Sequence, residues 1–148
     1  MLTVKRETTA SPEAVWAVIA DGWSYAGWVV GASRIRAVSA AWPAEGARIH
    51  HSVGTWPAVL DDETVVLDAQ PGRLIRLRAK TRPVGEAVVE LSLTPSSGGT
   101  VVEMREDVES GPATVVPERV RQLAIAARNR EALQRLTLMA ERRTTPDA

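Results

Sequence analysis

The sequence contains no cysteine. Disulfides, thiolate nucleophiles and cysteine-ligated zinc are therefore excluded. It also lacks net charge: 18 Lys and Arg balance 18 Asp and Glu. Nonspecific nucleic-acid binding needs a strong positive field, so that function class is not expected. No apolar run approaches the ~20 residues of a membrane span. The opening Met1-Leu2-Thr3-Val4-Lys5-Arg6-Glu7 has no secretory apolar core, so a cytoplasmic location is expected. A phosphate loop, a dinucleotide fingerprint, a nucleophile elbow and an H-E-x-x-H metal motif are all missing. No cofactor or metal is expected. Phenylalanine is absent and tyrosine occurs once, which leaves five tryptophans as nearly the whole aromatic content.

What is present is ordinary globular material. The chain has 148 residues, 45% hydrophobic and 24% charged, and that length suits one domain. Residues 2–9 read as a strand. Ser11-Pro12-Glu13 then opens a helix, with serine at the N-cap, proline at the first helical position and glutamate at the positive end of the dipole. Val15, Val18 and Ile19 form its apolar stripe, and Asp21-Gly22 ends it, with Gly22 expected in the left-handed C-cap conformation. A second short helical turn is expected over residues 23–28.

After Gly31, Gly/Pro-rich turn signals recur at short intervals and leave six segments of strand length, which reads as an antiparallel meander. Around Pro83-Val84-Gly85, pairing Arg82 with Glu86 and Arg78 with Glu90 sets opposite charges face to face. It also puts Ile75, Leu77, Ala79, Ala87, Val89, Leu91 and Leu93 on one apolar face. In the next hairpin, pairing Glu90 with Arg105 sets Leu91 opposite Met104 and agrees on which face is buried. The stripe Arg73, Arg76, Arg78, Lys80 and Arg82 is then a solvated face, partly neutralised by Glu86 and Glu90.

Residues 117–141 read as one helix of about 37 Å, long enough to cross a seven-stranded sheet about 29 Å wide. Val120, Leu123, Ala124 and Ala127 share one side; Ile125, Ala132, Leu133, Leu136 and Ala140 share nearly the opposite one. A helix apolar on two sides bends, or touches something besides its own sheet. A dimer partner or a cavity would each serve. Residues 142–148 read as a flexible tail, so the single domain is expected over 1–141.

The segment Ala10-Ser11-Pro12-Glu13-Ala14-Val15-Trp16-Ala17-Val18-Ile19-Ala20-Asp21 resembles the opening of the START-like (SRPBCC) superfamily, which has the birch-pollen-allergen fold. The resemblance continues through Trp28, Gly46, Pro71-Gly72-Arg73-Leu74, Gly99-Thr100-Val101-Val102-Glu103, Ser110-Gly111-Pro112 and Arg128-Asn129-Arg130-Glu131-Ala132-Leu133, over about residues 2–141. Within the superfamily the chain is most similar to the bacterial polyketide cyclase/dehydrase and lipid-transport branch. The resemblance implies an α+β helix-grip fold, in which a curved seven-stranded antiparallel sheet wraps a long C-terminal helix and two short helices lie between strands 1 and 2. It also implies a tunnel of ~300–1,000 Å³ between sheet and helix that takes a small hydrophobic ligand.

Several residues are candidates to line such a cavity. Trp28 is a wall residue or a core filler beneath the small helices. Trp23, Trp42 and Trp56 belong to loops, with Trp56 the preferred gate. Alternation in the strand over 47–53 turns His51 inward and His50 outward, so His51 either handles a polar ligand or is a satisfied core histidine. Glu106 shares the inward parity of Val102, Met104 and Val108. It would hold a polar group, exchange a proton with substrate, or pair with an inward Arg6. Met104 and Leu123 complete the candidate set. His51 and Glu106 fall on strands well separated in the expected sheet order, and no dyad is read from them. Three functions fit: a ligand-binding module, a cyclase/dehydrase-type enzyme using His51 or Glu106, and an interaction protein that dimerises through the last helix.

Overall fold

The structure is a computed structural model and describes residues 2–53, 57, 59–81 and 85–144. Strand β1 (Leu2–Thr8) is followed by helix α1 (Pro12–Ala20), a 3-10 turn at Gly22–Ser24 and helix α2 (Tyr25–Trp28). Six strands come next: β2 (Ala32–Val38), β3 (Arg48–Val53), β4 (Leu60–Gln70), β5 (Leu74–Thr81), β6 (Gly85–Ser96) and β7 (Gly99–Ser110). Helix α3 (Glu118–Thr144) closes the chain. The strands form one curved antiparallel sheet in the order β1-β7-β6-β5-β4-β3-β2. This is the expected helix-grip architecture. Among the described residues, no helix is long and apolar enough to cross a membrane.

Local chemistry accounts for the elements. Ser11 caps α1 by accepting from the Ala14 amide at 3.1 Å, with Pro12 in the first turn, and Val15, Val18 and Ile19 are its buried stripe. Gly22 is not left-handed as expected. Glycine serves there because a Cβ would stand 2.6 Å from Val38 Cγ1, so the requirement is space rather than dihedral freedom.

The hairpin of β5 and β6 pairs Arg76 with Glu90 and Lys80 with Glu86. This register is slipped by two residues from the expected one, which opposed Arg78 to Glu90. A two-residue slip preserves the pleat, so the described side chains keep their expected faces, although Val88, expected on the solvated face, is buried. Ile75, Leu77, Leu91 and Leu93 are buried, while Lys80 meets Glu86 at 3.9 Å on the solvated side. The Glu90–Arg105 and Leu91–Met104 pairs of β6 and β7 match expectation.

Arg6 does not reach Glu106. The β1–β7 register opposes Arg6 to Val102 and Leu2 to Glu106, and Arg6 Nε donates instead to Thr137 Oγ1 on α3 at 3.0 Å. Ala126, Ala132, Leu133, Leu136 and Ala140 of α3 are buried. Its other apolar side stays open, with Val120 57% and Leu123 74% exposed. The helix passes the boundary expected at residue 141, and Arg143 Nη2 meets Asp21 Oδ2 at 2.9 Å near the end of α1. Residues 145–148 of the expected tail lie outside the described residues.

Candidate functional site

Because the sheet bows away from α3, the interior does not close-pack at the level of α2. A cavity remains there, bounded by α2 and the segment after it, by β3, β5, β6 and β7, and by the middle of α3. Its apolar wall includes Trp28, Val30, Leu77, Val89, Met104 and Ala132; its polar wall is Tyr25, His51, Glu106, Arg128 and Asn129. It offers about 80 Å³ to the centres of water-sized spheres. That is less than the expected tunnel and more than the 10–15 Å³, roughly, that one water requires. A shallower groove of about 300 Å³ by the same measure runs beside it under the first half of α3. Glu106, Arg128 and Ala87 line both, so the Glu106–Arg128 pair stands at their junction.

His51 is buried, as alternation predicted. Its Nε2 lies 3.0 Å from Thr64 Oγ1, and the same hydroxyl lies 2.8 Å from Tyr25 Oη. Strand pairing explains the contact. His51 faces Asp62 across the β3–β4 ladder, so Thr64, two residues on, is its diagonal neighbour on the same face. Burial holds the His51 imidazole below its ordinary 6.5, against a smaller opposing influence of Asp62. Burial also pushes the Tyr25 phenol up to about 12. The two rings lie 5.4 Å apart, and Trp28 meets Tyr25 edge-on at 5.6 Å. Among the described residues, His51 Nδ1 and Trp28 Nε1 are buried without a hydrogen-bond partner.

Glu106 is inward and buried, as expected, but its partners come from the helix. Arg128 Nη2 donates to Oε1, and Asn129 Nδ2 donates to Oε2 at 2.8 Å. A carboxylate with both oxygens engaged is a structural anchor and a polar wall more than a free base. His51 and Glu106 line one cavity although their strands are far apart in the sheet, because the curvature folds the sheet's two halves toward each other. No direct contact joins them. Met104 lines the cavity. Leu123 does not: it points outward, away from the sheet, and lines neither the cavity nor the groove. Trp42 lies in the loop between β2 and β3, as read, but is buried, with its indole donating to the Ile19 carbonyl at 3.0 Å. Trp56 lies outside the described residues. Among the described residues, no cluster of His, Asp and Glu could hold a metal ion.

Tyr25, Thr64, Arg128 and Asn129 escaped the sequence reading of the site. Asn129 carried a legible signal. It falls three residues after Ala126 and three and four before Ala132 and Leu133, on the buried stripe of α3. Thr64 carried none, since its role depends on cross-strand register.

The family model for polyketide cyclase/dehydrase and lipid transport proteins matches residues 1–141. No curated protein matches the chain. Among solved structures, the di-domain ARO/CYC StfQ from the steffimycin biosynthetic pathway is similar at a TM-score of 0.74 and 13% identity, over 96% of this chain and 50% of that one. The chain thus spans half of StfQ. Protein MLL2253 from Mesorhizobium loti is similar at a TM-score of 0.72 and 21% identity, covering 99% of this chain and 98% of its own. Ara h 8.0201 is similar at 0.73 with 9% identity, over 95% and 97% of the two chains. At these identities the likeness establishes the fold alone.

Proposed function

Because the chain belongs to the polyketide cyclase/dehydrase and lipid transport family, we propose that it binds a small hydrophobic or aromatic molecule between its sheet and α3. The observation that carries this reading is the cavity beside α2, with an apolar wall of Trp28, Leu77, Val89 and Met104 and a few buried polar heads. That is the usual make-up of a small-molecule site. Its modest volume suits a compact ring system rather than a long acyl chain. The balanced charge keeps nucleic acid out of this reading, and a cytoplasmic location goes with it.

The first experiment is native mass spectrometry of the protein as purified, where a co-purifying small molecule is expected. The second is Ala132→Phe, which places a ring in the cavity. Overpacking costs about 1–3 kcal/mol, so the variant should stay folded while losing the ligand and any ligand-dependent rise in melting temperature. Retention of the ligand by that variant would sink the assignment of this cavity.

An enzyme of the cyclase/dehydrase type is the second reading, favoured by the neutral His51 held by Thr64 inside the cavity. It requires turnover that falls in His51→Ala or Glu106→Gln with folding preserved. A third reading, self-association through α3, draws on the exposed Val120 and Leu123. Leu123→Glu should then lower the mass in solution; a wild-type monomer at high concentration ends that reading.

A further inference from the structure

The hydrogens of the Tyr25–Thr64–His51 chain follow from counting donors. A hydroxyl carries one proton, and a neutral imidazole carries one on either ring nitrogen. Thr64 is fully buried, and its hydroxyl lies within reach of both Tyr25 Oη and His51 Nε2. If Tyr25 donates to Thr64 and Thr64 donates to Nε2, both bonds form and no hydroxyl proton is left over. The imidazole proton then sits on Nδ1. If instead Nε2 carries the proton and donates to Thr64, either the Tyr25 or the Thr64 hydroxyl proton loses its acceptor within this chain. That arrangement leaves two buried groups unmatched, a hydroxyl proton and the Nδ1 lone pair, where the first leaves only Nδ1–H. Burial keeps His51 neutral at neutral pH, so a doubly protonated ring does not intervene.

His51 Nδ1 is thus a donor, and Trp28 Nε1 is one by its chemistry. Both are buried, both residues line the same cavity, and neither atom has a partner among the described residues. None of the cavity's other polar groups, Glu106 and Asn129 included, lies within hydrogen-bond reach of either atom. The wall around them is apolar. A site with unmatched donors discriminates strongly for a ligand that brings acceptors.

From these contacts, and resting on the ligand-binding reading above, we infer that the cavity takes an apolar ring compound bearing a carbonyl oxygen, which accepts from His51 Nδ1–H and Trp28 Nε1–H. A hydrocarbon of the same shape leaves both donors unmatched. An amine in its place opposes donor to donor.

Three probes on one bicyclic skeleton test this: 1-tetralone, tetralin and 1-aminotetralin, titrated into the full chain and followed by ¹H–¹⁵N NMR. The ketone is expected to bind at least tenfold more tightly than the hydrocarbon, with the amine weakest. It should shift the Trp28 indole proton downfield, and Trp28→Phe should remove most of the ketone's advantage. Imidazole ¹⁵N spectra of the free protein should show His51 protonated at Nδ1. Equal binding of ketone and hydrocarbon would mean that water already satisfies the donors, and would overturn the inference while leaving cavity binding intact. Protonation at Nε2 would overturn it without any ligand, so it stays testable even if Trp28→Phe does not fold. Failure of all three probes to bind would remove both the inference and the reading beneath it.

Discussion

Asn129 Nδ2 donates to Glu106 Oε2 at 2.8 Å and so fastens the middle of α3 to β7 across the interior. Both residues are buried. Arg128, one residue earlier on the helix, takes the other carboxylate oxygen from a partly exposed position. The three groups match one another, so removing one strands the rest.

Glu106→Ala is expected to destabilise the fold by about 2–4 kcal/mol, because it leaves a buried amide and a half-buried guanidinium without their acceptor. Glu106→Gln keeps one acceptor oxygen and should cost less. Urea unfolding would measure both. Equal stability of Glu106→Ala and wild type would show that the helix is held without this anchor.

Thr64→Val removes the hydroxyl that Tyr25 and His51 share. The expected cost is about 2–3 kcal/mol, since two buried polar groups lose their partner. Tyr25→Phe in the Thr64→Val background should be nearly free or stabilising, because it removes a stranded hydroxyl. A double-mutant cycle should therefore show coupling above about 0.5 kcal/mol. Simple additivity would argue against the Tyr25–Thr64 bond.

The pH dependence of stability should carry the signature of a buried neutral histidine. The folded-state pKa of His51 lies below 6.5, so between that lowered value and 6.5 the unfolded chain binds a proton that the native state refuses. Stability is fully present above pH 6.5 and declines as pH falls through this window, at up to about 1.4 kcal/mol per pH unit. The carboxyls held low, Asp21, Glu63 and Glu103, start from 3.8 to 4.5 and act only at lower pH. Thermal melts from pH 7.5 to 5 should show the decline, and His51→Asn should flatten it.

Gly99 has φ +149°, and a Cβ there would stand 2.1 Å from the Thr8 carbonyl oxygen. Gly99→Ala should cost roughly 1–3 kcal/mol from backbone strain alone, and more if β1 must move away from β7. The neighbouring Gly98 has open space at its Cβ position. Gly98→Ala should be neutral or slightly stabilising, by up to about 1 kcal/mol. Chemical denaturation of the two variants side by side checks the contrast.

The residues alone determined the element order, the N-cap of α1 and the choice of buried face. These properties depend on neighbours along the chain: Ser11 with Ala14, the alternation that turns His51 and Glu106 inward, and the turn signals that separate the strands. Face survived even where register slipped, because a slip of two residues preserves the pleat. Only the tertiary structure decided which inward groups meet. Glu106 was free to seek Arg6 or any other cation, and the closeness of α3 to β7 selected Arg128 and Asn129. Trp42 lies in a loop, as read, but its packing against Ile19 buries it. Leu123 belonged to an apolar helix side that faces away from the sheet. The Thr64 bridge between Tyr25 and His51 joins three elements distant in sequence. Periodicity reports which way a side chain points, while the curvature of the sheet sets what lies at the other end.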